Sequence, residues 1–215
     1  MFAFALPRGG SSATVERARA ADALVAQGHV DEAQTAWAHL WDEQPGDAAL
    51  AARLAWAAMQ HDDRAVATVW WLRGDRAEAR DPALASIASR VREAGGMVGA
   101  PSRALPLTST EWACLAFVLM VCVGLLLPRR RVAALVLIGA LVAGAWWPVE
   151  SAWRASRVLA VVRAPRMLSP GDVQLDAGQV VEVIGRDGDD VRVRVTRDLD
   201  GVLPASTLWF PWSAR

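Results

Sequence analysis

Two apolar runs in the middle of the chain limit its possible folds more than any other feature. Residues 112–127 and 132–147 each give 16 consecutive positions without a charged side chain, in a chain that is 21% charged overall. The segment between them, residues 128–131, is a proline followed by three arginines. A link this short makes two helices antiparallel neighbours, and three consecutive arginines are expected at a membrane surface rather than in hydrocarbon. The pattern predicts a transmembrane hairpin, and the alternative is a buried helical hairpin of a soluble protein.

The ends of the two helices follow from their boundary residues. Thr108 and Glu111 have the spacing of a capping box, which extends the first transmembrane helix over residues 108–127. From residue 109 to residue 127 the helix is about 28 Å long at about 1.5 Å per residue, which is enough to cross a hydrocarbon core of about 30 Å. The arginine-rich turn takes residues 128–131. The second transmembrane helix is predicted over residues 132–149, because a proline closes the second apolar run.

Residues 15–94 show the apolar spacing of helices and follow an N-terminal tail at residues 1–14. Glycine, proline and aspartate interrupt the spacing at four places, which divides the region into five helices. The predicted helices lie near residues 15–27, 30–44, 47–60, 63–80 and 82–94.

Within this helical region, similar residues recur after 34 positions. The pairs are Ala21 and Ala55, Ala33 and Ala67, and Trp37 and Trp71. The spacing resembles that of tetratricopeptide helix pairs, in which small residues lie where helices touch and a large ring fills the space between them. Only two such pairs are visible, and an irregular helical bundle is the alternative.

The tetratricopeptide resemblance implies a concave groove lined by the first helix of each pair. Its groove-facing positions are Asp22, Ala26, Trp56 and Gln60. An apolar and aromatic groove of this kind binds a peptide or a partner surface rather than performing chemistry. For Trp56 the alternative is burial against the next helix.

Residues 158–210 predict a small all-β barrel. Asp187-Gly188 is a hairpin turn signal, and about 50 residues of short strands leave no room for a helix. The order of strands and turns resembles bacterial SH3 domains. The positions that carry aromatic rings in that family are Asp190 and Val202 here, so binding of a proline-rich peptide is not favoured. The predicted strands lie at residues 158–162, 179–184 and 191–195.

Charge and motifs exclude several function classes. All 23 basic residues are arginine and 23 acidic residues balance them, so no nucleic-acid partner is expected. Cys114 and Cys122 lie in the first apolar run, where small apolar fillers explain them better than a redox or metal pair. The chain has no phosphate loop, no Gly-x-Ser-x-Gly and no His-Glu-x-x-His. We therefore expect no catalytic residue, no cofactor, no metal site and no enzymatic activity.

The order of the parts resembles the BatE family of bacterial aerotolerance operons over roughly residues 15–210. That order is tetratricopeptide-like helices at 15–94, a linker at 95–107, a two-helix transmembrane hairpin and an SH3-like barrel at 158–210. The expected fold class is thus a multidomain membrane protein with an all-α repeat domain and a small all-β barrel.

The same resemblance implies a membrane-anchored scaffold for protein–protein interaction, as an assembly component of an envelope stress (aerotolerance) complex. Its partners would be von Willebrand A-domain membrane proteins and a MoxR-type ATPase, together with the lipid bilayer. The alternative function is an envelope sensor that binds cell-wall glycan or peptide through the SH3-like domain.

The expected location is the bacterial inner membrane, with both soluble parts in the periplasm. Short basic loops are retained in the cytoplasm, which places residues 129–131 on that side. Four arginines on the other side of the helices oppose this orientation by number: Arg103, Arg154, Arg157 and Arg163.

Overall fold

A computed structural model describes residues 12–78, 81–100, 109–126, 136–142, 156–170 and 173–212, with the positions 134, 144, 145 and 152. The chain divides into two compact units. One contains residues 1–100 and 159–215, and the other contains residues 101–158. Several predicted features lie outside the described residues: the tail as far as residue 11, Thr108, the linker from residue 101 and the arginine-rich turn at 128–131.

Five helices form the first part of the larger unit. They are α1 Ser12–Ala26, α2 Val30–Glu43, α3 Ala48–Gln60, α4 Arg64–Ala77 and α5 Pro82–Glu93. Their ends lie within three residues of the expected positions. The last three begin at an aspartate whose side chain accepts hydrogen bonds from backbone N–H groups of the first turn: Asp47, Asp63 and Asp81. Such caps satisfy donors that have no partner within the helix.

The first four helices form two pairs related by a shift of 34 residues. Helices α1 and α3 end at residues 26 and 60, and α2 and α4 cover 30–43 and 64–77. Helix α5 packs on the second pair. Helix α3 is therefore enclosed, and every residue from Ala48 to Ala58 is buried. The tetratricopeptide assignment of these pairs stays a prediction.

Seven short strands follow. They are β1 Val158–Val162, β2 Arg166–Met167, β3 Gln174–Leu175, β4 Val180–Asp187, β5 Asp190–Thr196, β6 Leu199–Pro204 and β7 Leu208–Trp209. Five form one sheet in the order β6-β5-β4-β1-β7, and β2 pairs with β3. Ser169 bridges to Val202 on β6, so the β2–β3 hairpin joins the edge of the sheet. At Gly201 a side chain would collide with Leu168, which explains the glycine in this strand.

Strands β1 and β4 bury both of their faces. Ala160 and Val162 point into the core of the sheet, whereas Val161 lies between them and joins the core of the helices. On β4, Val181 and Val180 divide in the same way. Side chains alternate along a strand, so two consecutive buried residues require cover on both faces. The helices supply that cover, and the helical region and the sheet form one compact unit.

The segment after α5 connects the helices to the sheet by backbone hydrogen bonds. The Met97 N–H donates to the Gly178 carbonyl at 2.9 Å, and the Val180 N–H donates to the Val98 carbonyl at 2.7 Å. Met97 is only 4% exposed. The predicted linker, which starts at residue 95, is therefore ordered structure as far as residue 100.

The second unit contains α6, which covers Ser109–Leu126, and a helical segment at residues 136–142. Glycines bring the two together: a Cβ added at Gly139 would lie 3.7 Å from Leu119 Cδ1, and one at Gly144 would lie 3.9 Å from Ala116 Cβ. Ala140 is buried beside them.

The predicted transmembrane hairpin, and with it the membrane fold class and the inner-membrane location, is wrong. Among the residues that the structure describes, no helix combines the length and the apolar character needed to cross a membrane. Helix α6 has 18 residues and opens with Ser-Thr-Glu. Within the described residues its apolar part thus covers about 22 Å at about 1.5 Å per residue, short of the about 30 Å of hydrocarbon. The predicted length of about 28 Å included this polar first turn.

We predict that Gly99→Ala lowers the free energy of unfolding more than Gly188→Ala does. Both glycines are exposed and have positive φ, at 81° and 61°, so alanine costs about 1–2 kcal/mol at either position. At Gly99 the new Cβ would also lie 2.5 Å from the Val180 carbonyl oxygen, whereas Gly188 has open space. The collision should add about 1–3 kcal/mol. Urea denaturation measures both variants, and equal losses would contradict the role of residues 97–99 in holding the sheet.

Candidate functional site

Of the four predicted groove residues, two pack against other helices and two lie at the surface. Asp22 is half-buried and Trp56 is 9% exposed. Ala26 and Gln60 are exposed at the last positions of α1 and α3. Their role in binding a partner stays a prediction.

Asp22 binds a buried arginine. The Nε and Nη2 atoms of Arg53 each donate to a different carboxylate oxygen of Asp22 at 2.8 Å, and Nη1 donates to the Ala49 carbonyl at 3.2 Å. The Arg53 side chain is 0% exposed and that of Asp22 is 27% exposed. A two-point ion pair of this kind fixes the contact between α1 and α3, because a buried guanidinium requires a counter-charge.

Trp56 packs edge to face on Trp37, with ring centroids 6.4 Å apart and an angle of 76° between the rings. Trp37 belongs to the first helix pair and Trp56 to the second. The contact therefore lies where one pair meets the next, and aromatic pairs in this geometry stabilise the fold.

An open apolar groove lies between α1 and α2. It has a volume of about 390 Å³, and it is lined by Arg17, Ala20, Ala21, Leu24, Ala36, His39 and Leu40. Leu40 and Ala21 are buried at its floor, while Ala20 is exposed. Close to it, the Arg17 guanidinium donates to Glu43 at 2.8 Å. This hydrogen bond holds the pKa of the Glu43 carboxyl below its ordinary value.

The second helix pair allows a comparison, because positions equivalent to two of the groove residues are covered there. Counting 34 residues on, Ala20 corresponds to Leu54 and Ala36 to Trp70, and both counterparts are buried. Helix α2 packs on α3, and Trp41 of α2 lies edge to face on Trp70 with centroids 5.4 Å apart. The rim of the groove at Ala20 and Ala36 is thus equivalent to positions that are buried in the second pair.

A chain of aromatic and arginine contacts joins α4 to the C-terminal strand region. The Arg73 guanidinium lies 4.6 Å from the Trp70 ring centroid, and its Nε donates to the Pro211 carbonyl at 2.9 Å. Arg76 lies 4.6 Å from the Trp212 ring centroid. Trp212 thus packs on the helices.

Charged clusters suited to metal binding are absent from the part of the chain that the structure describes: no three His, Cys, Asp or Glu side chains lie together there. His61 Nε2 lies 3.0 Å from Asp31, and His29 Nδ1 lies 3.6 Å from Glu32.

No protein-family model, curated protein or solved structure matches the chain. Sequence reasoning placed the binding surface on the first helix of each pair and missed the α1–α2 groove. The available signal was the pair of alanines, Ala20 and Ala36, at positions whose counterparts are Leu54 and Trp70.

We predict that Asp22→Asn lowers the free energy of unfolding by about 3 kcal/mol, because it removes the carboxylate that makes a two-point ion pair with the buried Arg53. Glu43→Gln is the matched control, since it also removes an acidic partner of an interhelical arginine, but at an exposed position. An exposed pair contributes little. Denaturation in urea at neutral pH measures both, and similar losses for the two variants would contradict the structural role of Asp22.

Proposed function

We propose that this protein is an interaction scaffold that binds a helix of a protein partner in the groove between α1 and α2. The observation that carries the proposal is the relation between the two helix pairs. In the second pair the counterparts of Ala20 and Ala36 are buried, and Trp41 of α2 packs on one of them, whereas the first pair has an open apolar groove at these positions. Apolar grooves between helices are a recurrent binding site for amphipathic helices.

The two ends of the helical array both expose charged residues, and they differ in the groove. Helix α5 buries Leu84, Ile87 and Val91 and exposes serine, arginine and glutamate. Helix α1 exposes Glu16 and Arg19, but it also exposes Ala20 next to half-buried Leu24 at the open groove. The groove makes the first end of the array suited to binding a partner.

The packing of α2 on the second pair indicates the chemistry of the partner. Trp41 fills the space above Trp70, so the partner helix should present a bulky apolar side chain to the groove. A volume of about 390 Å³ provides room for such side chains. Arg17 and Glu43 beside the groove offer both charges to the polar edge of the partner helix.

The order of the helical region and the sheet leads us to propose BatE-type partners, namely von Willebrand A-domain proteins and a MoxR-type ATPase, in an envelope stress complex. This assignment rests on that order alone. A membrane anchor is not part of this assignment of partners. Copurification with the products of neighbouring genes is the direct test of partner identity.

We predict that Ala20→Arg weakens partner binding about 10-fold or more, because a long charged side chain then occupies the groove. Ala23→Arg is the matched control: Ala23 is also exposed on α1 but does not line the groove. Each variant is introduced into the tagged full chain, and the copurified protein is quantified by mass spectrometry against the wild type.

A photo-crosslinking residue at position 20 or at position 23 provides the second measurement. Crosslinks from position 20 alone to one defined protein would support the groove. Equal recovery of that protein by both arginine variants, with unchanged melting temperatures, would contradict the proposal.

A further inference from the structure

The second unit exposes an unusually large apolar surface. Nine large apolar side chains between Leu115 and Val142 are each at least 37% exposed. Phe117 reaches 71%, Leu141 60% and Ile138 58%. We call this surface the hairpin face, meaning the exposed apolar side chains of α6 and of residues 136–142. Clusters of exposed large apolar side chains often mark interaction sites in proteins.

The contact between the two helical segments explains why the large side chains point outward. Gly139 and Gly144 approach Leu119 and Ala116 of α6, and Ala140 is buried. The close contact thus uses the small residues of the second segment. Exposed residues occur on several sides of α6, among them Leu115, Phe117 and Val118. A helix that is apolar on several sides requires cover by more than one neighbour.

The area of the hairpin face can be compared with that of a stable interface. A fully exposed large apolar side chain offers about 60–120 Å². Nine side chains that are about half exposed then offer roughly 300–600 Å². Exposed Ala113 and Cys114 add to this area. Two copies together would bury roughly 600–1,200 Å², which is the size of the smaller specific interfaces.

Charge and symmetry favour a second copy of the same chain as the cover. After Glu111 the sequence of α6 contains no charged residue, and residues 136–142 contain none. A different partner would need an equally large uncharged surface of its own, exposed to water before binding. Association of two copies covers both hairpin faces in one event, and twofold dimers are the commonest symmetric assembly.

We propose that two copies of this chain associate through their hairpin faces. The contact is apolar, excludes charged groups and is independent of the α1–α2 groove. The expected product is a dimer of the full chain, and disruption of the hairpin face dissociates it while leaving the larger unit folded.

The first test is the Phe117→Glu substitution in the full chain, with sedimentation velocity as the readout. A charge buried in the interface should raise the dimer dissociation constant at least about 100-fold. Ile184→Glu is the control, because Ile184 is a 38% exposed apolar residue on β4 of the larger unit. Loss of the dimer in Phe117→Glu but not in Ile184→Glu supports the proposal. A wild-type chain that sediments as a monomer at micromolar concentration overturns it.

The second test needs no disruptive variant. Cys114 is exposed on α6, so in a Cys122→Ser chain a short bis-maleimide should link two copies through Cys114. Covalent dimer that disappears on dilution supports association through the hairpin face. Failure to crosslink at concentrations where sedimentation shows a dimer overturns the assignment of the interface. Binding of the chain to phosphatidylcholine vesicles in place of self-association also overturns it.

Discussion

The structure depends on the burial of β1 and β4 between two cores. Val161 and Val180 belong to the core of the helices, while their neighbours Val162 and Val181 belong to the core of the sheet. Each strand therefore connects the sheet to the packing of the helices. The backbone hydrogen bonds of Met97 and Val98 reinforce the contact from the other end of the helical region. Removal of either core would leave one face of these strands exposed to water, so the two parts are mutually dependent.

Much of the larger unit could be predicted from local patterns. Helix ends carry Asp47, Asp63 and Asp81 as caps, and periodic apolar residues define the helices between them. Strands β4 and β5 are separated by the Asp187-Gly188 signal. The two-residue strands β2 and β3 have no such signal, because their pairing depends on contact with the rest of the sheet. The helices and the sheet were predicted as separate domains. Residues 158–162, Val-Leu-Ala-Val-Val, do not alternate in polarity, and this was a signal that they pack together. A non-alternating strand is buried on both faces, and this rule identifies the helical cover.

Local features such as helices were identified correctly from the sequence. The wrong prediction of a membrane hairpin, and the contacts that were not predicted, depend on more than these local features. The described parts of both apolar runs are helical. The first turn of α6 consists of polar residues, so the apolar part of the described helix is shorter than the hydrocarbon core of a bilayer. The groove-facing positions follow from the tetratricopeptide resemblance, and their role in binding stays a prediction. The resemblance could not reveal that Asp22 binds a guanidinium from α3 or that Trp56 meets Trp37, because both contacts join different helices. Side-chain partners across helices depend on the packing angle, which the sequence does not encode locally.

The α1–α2 groove arises from a change in residue size at equivalent positions of the two helix pairs. In the second pair Leu54 and Trp70 are buried, and Trp41 of α2 packs on Trp70; in the first pair the equivalent residues are Ala20 and Ala36. Leu40 shows the reverse relation, since it corresponds to Gly74, where a side chain would collide with Leu84 of α5. The same helix-pair repeat thus buries these positions in one pair, where larger side chains and a neighbouring helix fill the space, and leaves an open apolar groove in the other.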